Sequence, residues 1–213
     1  MTLDMAVTTP TDLATAVRKG RSPDAFAEIR QPGCGAAIYD RAPEPHAIEW
    51  LAKLPADLLP QDRVILAPEA VRGHVLSLMP LVSATDAPAR DWLVDDIAQL
   101  SRAFANLMEA PYLRLRLDAI TTNACRKFHI DAVTARLVCT YRGQATQYGM
   151  AERGHVPNEI ESVPSACPVV LRGTRWPDDA PTGLLHRSPP IEGTGETRLL
   201  LVLDPIYDLA DED

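Results

Sequence analysis

In the run Phe128-His129-Ile130-Asp131, a histidine and an aspartate stand two residues apart, just ahead of an apolar stretch. On a β-strand, residues i and i+2 point to the same face. An imidazole and a carboxylate would then aim at one point. Such a pair holds a metal ion if a third ligand joins it. Otherwise it is a hydrogen-bonded pair at a strand end. Three residues qualify as that ligand: His186, which closes a short apolar strand, His155 in a Gly/Pro-bounded loop, and Cys139. Arg198 opens the last predicted strand, twelve residues after His186.

Two imidazoles and one carboxylate on one side of a metal leave coordination positions open on the other. Those positions take a bidentate co-substrate and dioxygen. A guanidinium at the start of the neighbouring strand can grip a distal carboxylate of the co-substrate bidentately. In "TARLVCTYRG", alternation puts Arg136, Val138 and Thr140 on one face and Leu137, Cys139 and Tyr141 on the other. Tyr141 offers a hydroxyl for the same carboxylate, or else is a core tyrosine at the barrel rim. Thr146 and Tyr148 are candidates for the barrel mouth. Cys125, four residues before His129, is either a thiolate that would tighten zinc binding or a small apolar filler. His46 and His74 read as structural or surface groups.

Several elements must position these groups. Residues 1–22 read as a polar N-terminal arm. Ser22 or Asp24 can cap a short helix that Gly33 and Gly35 stop, and Ala36 to Tyr39 reads as a strand. "EPHAIEWLAKLP" reads as a helix ended by Pro55. In residues 85–109, Trp92, Leu93, Ile97, Leu100, Phe104 and Leu107 recur at three- and four-residue steps, an amphipathic helix with one face on a core. From Pro111 the period becomes two: "YLRLRLDAI" alternates leucines with charges. "KFHIDAV", "ARLVCTYRG", "PVVLRG", "TGLLHRSP" and "TRLLLVLDPI" follow as short strands. "GTGETR" is a turn, since no helix follows it. The expected fold class is α+β. A helical support over 23–110 packs on a β core over 111–208, within one domain spanning 23–213.

The pattern His-x-Asp, then a distant His, then Arg on the next strand resembles the 2-oxoglutarate/iron(II)-dependent oxygenases. That resemblance implies a double-stranded β-helix, the cupin-like jelly roll. It implies His129, Asp131 and His186 as metal ligands and Arg198 as the 2-oxoglutarate anchor. Tyr141 would be a second contact to that co-substrate, and Fe(II) and 2-oxoglutarate would be the cofactors. "FHID…RLVCTYRGQAT" with "LLHRSPP…TRLLLVLD" also looks like an uncharacterised bacterial domain-of-unknown-function family of similar length, extending upstream to "QPGCGAAIYDR".

The 213 residues carry a net charge of −8, which disfavours nucleic acid as a partner because no basic stripe stands out. No apolar run reaches the ~20 residues of a membrane span. The N-terminus lacks the basic and apolar regions of a secretory signal, so a cytoplasmic location is expected. Cys34, Cys125, Cys139 and Cys167 form no CxxC pair. The expected substrate is a small molecule or peptide. The rival reading is a non-catalytic cupin-like zinc or other metal binder in metal homeostasis. Imidazole and carboxylate bind zinc as readily as iron, and a thiolate beside the metal would favour zinc.

Overall fold

The computed structural model describes residues 13–152, 154–177 and 180–211. Strand β1 (Ala16–Gly20) leads through a 3-10 segment, Pro23–Arg30, into β2 (Cys34–Tyr39). Helix α1 (Pro45–Lys53) starts where Glu44 accepts a hydrogen bond from the Ala47 amide at 2.8 Å, with proline fitting the first turn. Strand β3 (Asp62–Leu66), helix α2 (Val71–Ser77) and helix α3 (Ala87–Met108) complete the first half. Then come β4 (Tyr112–Ile120), β5 (Ala135–Arg142), β6 (Gln147–Met150), β7 (Glu161–Ser162), β8 (Val169–Arg172), β9 (Leu184–Arg187) and β10 (Arg198–Ile206).

Seven strands form one sheet in the order β1-β2-β8-β5-β10-β4-β3, antiparallel except for β1 with β2. A smaller sheet runs β7-β6-β9, and a single antiparallel bridge between His129 and His186 adds a rung beyond β9. After β4 the chain visits that rung, β5, then β6 and β7, then β8, β9 and β10. It alternates between the two sheets, which is a jelly-roll-like arrangement.

The middle of the large sheet is buried on both faces, so β8 and β10 read as near-continuous apolar runs. On β10, Leu199, Leu201 and Leu203 pack with Leu93, Ile97, Leu100 and Phe104 of α3. Leu200 and Val202 face the other way and join Val138, Tyr148 and Leu184 between the sheets. The layers are therefore helices, large sheet and small sheet. The functional residues lie between the two sheets.

Three expectations change. The first half is not simply a helical support, because β1, β2 and β3 all belong to the large sheet. The expected arm over 1–22 falls partly outside the described residues, and its end, Ala16–Gly20, is β1. "KFHIDAV" is not a full strand: only the rung at His129 is paired, and Asp131 lies in the loop that follows.

Candidate metal centre

His129 and His186 face each other across that rung. The amide of each donates to the carbonyl of the other at 3.0 Å. Directly paired residues put their side chains on one face, and here the two rings sit 4.5 Å apart. Asp131 approaches from the loop, which the end of β8 clamps. The Thr174 amide donates to the Asp131 carbonyl at 2.9 Å and the Arg175 amide to Val133 at 3.1 Å. One donor atom from each of His129, Asp131 and His186 lies within 4.8 Å of the others.

The donors are arranged for a cation. His129 Nδ1 lies 2.8 Å from the Lys127 carbonyl, an acceptor only, so this nitrogen carries a proton and Nε2 is the one that offers a lone pair when the ring is neutral. Asp131 Oδ2 is buried with no hydrogen-bond partner. His186 Nε2 comes within 2.9 Å of that oxygen, yet off the axis of a hydrogen bond. A buried oxygen without a donor is costly. A divalent ion between Nε2 and Oδ2 would satisfy both, so the residues fit a transition metal of the imidazole–carboxylate type.

The electrostatics agree. Burial alone would raise the Asp131 carboxyl, but both imidazoles and the Arg136 guanidinium overcome it and hold the group well below the usual carboxylate range. Burial pushes the His186 pKa down, which favours the neutral ring that a metal ligand needs. The hydrogen-bonding contact with Asp131 pulls His129 up.

A cavity of about 130 Å³ opens beside the triad. Arg116, Asp118, Val138, Leu200 and Val202 line it from the large sheet, and Thr146, Cys125 and Ser188 also border it. Arg198 shares the sheet face of Leu200 and Val202, one side-chain position beyond the lining. It is 1 % exposed. Its Nε donates to the Gln144 carbonyl at 2.6 Å and its Nη2 to Thr140 Oγ1 at 3.5 Å. Among the described residues no carboxylate stands within ion-pair reach. Glu196, which favours its charge, accepts instead from Gln144. Burial pulls the Arg198 pKa down.

Tyr141 is not in this site, a correction to the sequence expectation. It packs on the helix face of the large sheet and donates to Asp96 Oδ2 at 2.6 Å. Leu199 pairs with Arg142 but Leu200 with Thr140, so Tyr141 is the extra residue of a bulge. Thr140 supplies the hydroxyl beside Arg198 instead. Cys139 is fully buried on the helix face. Cys125 lines the cavity but is outside the ligand group. His155 lies in an exposed turn, also outside the group. Sequence reading missed Arg136, Asp204 and Gly173, because the Arg136–Asp204 and Gly173–Val133 contacts join distant parts of the chain.

Residues 20–204 match a family described as "Protein of unknown function (DUF1826)", and the chain belongs to that family. No curated protein matches the sequence. Among solved structures, a rice dioxygenase for auxin oxidation matches at 12% identity, with 92% of this chain and 84% of that chain covered and a TM-score of 0.49. Dioxygenase for auxin oxidation 1 of Arabidopsis thaliana, in a 2-oxoglutarate complex, gives 11%, 92% and 94%, and 0.49. A Pseudomonas putida prolyl-4-hydroxylase gives 13%, 87% and 98%, and 0.45. Likenesses this remote carry no weight for activity; the site geometry does.

Proposed function

We propose that this member of the DUF1826 family is a non-haem iron(II)- and 2-oxoglutarate-dependent oxygenase acting on a small molecule or peptide. His129, Asp131 and His186 would hold the iron. Bound iron(II) with 2-oxoglutarate supplies the oxygen activation that a substrate C–H bond needs. The chain's own residues bind and orient. The two-histidine, one-carboxylate set leaves open positions on the cavity side. Val138, Leu200 and Val202 supply its apolar surface.

The observation that carries this reading is Arg198. A buried guanidinium without an anionic partner is unfavourable alone. It has a purpose if a carboxylate docks between it and the metal, with Thr140 as a second donor. The donor set also favours iron chemistry over a thiolate zinc site, since the described ligand group contains no cysteine.

The test is anaerobic. Metal-free protein receives iron(II), then 2-oxoglutarate, while the visible spectrum is recorded. A weak charge-transfer band should need both additions. It should vanish in His186→Ala through loss of metal, and in Arg198→Ala with metal still bound. Tight metal binding with no band in the wild type would overturn the oxygenase and leave a metal-binding protein.

A further inference from the structure

Arg136 spans two carboxylates that play different parts. It stands on β5, on the same sheet face as Val138 and Thr140. Its Nε and Nη2 donate to the two oxygens of Asp204 on β10 at 2.6 and 2.7 Å. Its remaining terminal nitrogen, Nη1, donates to Asp131 Oδ1 at 2.5 Å. All three side chains are largely buried, at 19%, 8% and 11% exposure for Arg136, Asp204 and Asp131. A two-pronged grip fixes the plane of a guanidinium. The third nitrogen therefore points one way, and it occupies Oδ1. Oδ2 accepts no hydrogen bond and faces His186 Nε2 at 2.9 Å, while His129 Nε2 stands 3.4 Å from the Oδ1 that Arg136 already holds.

We infer that Arg136, anchored by Asp204, is the positioning residue that makes Asp131 a one-oxygen ligand. Asp204 touches no ligand atom, yet it does two things. It locks the guanidinium, and its own negative charge offsets the guanidinium's, so less net positive charge stands beside the metal. Without Asp204, an uncompensated cation would lie against the metal's own carboxylate. The inference rests on the triad being a metal site and is independent of the co-substrate.

Cobalt(II) is the probe, because its visible band reports both affinity and coordination number. Asp204→Asn and Arg136→Lys should each weaken cobalt binding by about 10- to 100-fold, the usual effect of losing an outer partner of a ligand. The band should also change shape as Oδ1 becomes available. Asp204→Glu should recover part of the affinity. Either single variant can fold poorly, because it leaves buried charge unpaired. The double variant Arg136→Met/Asp204→Leu replaces the pair with apolar groups of similar size, a change that commonly preserves stability. It should fold to wild-type resistance against urea and still bind cobalt weakly with the altered band. Wild-type affinity and band shape in a folded double variant would overturn the inference and leave the metal site intact. Failure of the wild-type protein to bind cobalt would remove the site and the inference together.

Discussion

The proton on His129 competes with the metal. A contact to Asp131 raises its pKa above the ordinary histidine value of about 6.5, while burial keeps His186 neutral and its neighbours keep Asp131 ionised. Of the three, His129 is the one whose surroundings favour a proton that the metal must displace. Cobalt affinity should therefore fall as pH drops through the His129 pKa, by about tenfold per unit for one proton, and level off above it. Titrations between about pH 8 and pH 6 check this, and a flat profile would refute it. Tyr141 and Thr140 make a second residue-level contrast. Tyr141→Phe removes a buried hydrogen bond to a carboxylate, so it should cost about 1–3 kcal/mol in urea unfolding and leave the 2-oxoglutarate band unchanged. Thr140→Val should weaken that band's dependence on 2-oxoglutarate and barely touch metal binding. Alternation along β5 already separated Tyr141 from Arg136, Val138 and Thr140. What it could not say was which face looks toward the metal.

The loop that carries Asp131 depends on a glycine four strands later in the chain. A Cβ on Gly173, just past β8, would fall 1.9 Å from the Val133 carbonyl oxygen and 3.0 Å from that of Asp131. Both contacts are to backbone, which cannot swing aside. Gly173→Ala should push residues 131–134 outward, cost about 1–3 kcal/mol or more, and weaken cobalt binding. Thermal unfolding and a cobalt titration of the same sample test it. Elements with strong periodicity were legible in sequence: α3 from its apolar steps, β4 from alternating leucines and arginines, β10 from its continuous apolar run. Strands β1 and β3 were not. "AVRKG" and "DRVIL" are five residues each, and only pairing with β2 and β4 makes them strands. Asp131 was readable as a candidate ligand but not as a loop residue, since the clamp at Thr174 and Arg175 is tertiary.

At the level of the whole molecule, α3 is fastened to the sheet by a buried charge cluster. Asp96 takes a two-pronged grip from Arg41 and a hydroxyl from Tyr141, and its side chain is 6% exposed. Asp96→Ala would leave Arg41 buried and unpaired, which typically costs about 3–5 kcal/mol. The melting temperature should drop while cobalt affinity, measured on the folded protein, stays close to wild type, because the cluster lies on the far side of the sheet. A parallel loss of cobalt affinity would mean that the helix layer shapes the site.

The three candidate ligands do not belong to one sheet. His129 and His186 share a rung of the small sheet, whereas Asp131 is held to the large one through β8 and through Arg136 to β10. An ion shared among them is a latch between the two layers. Amide protons of β6 and β9 should then exchange with solvent more slowly once metal is loaded, while those of α3 keep their rate. The sandwich would breathe at its open end only when the latch is off.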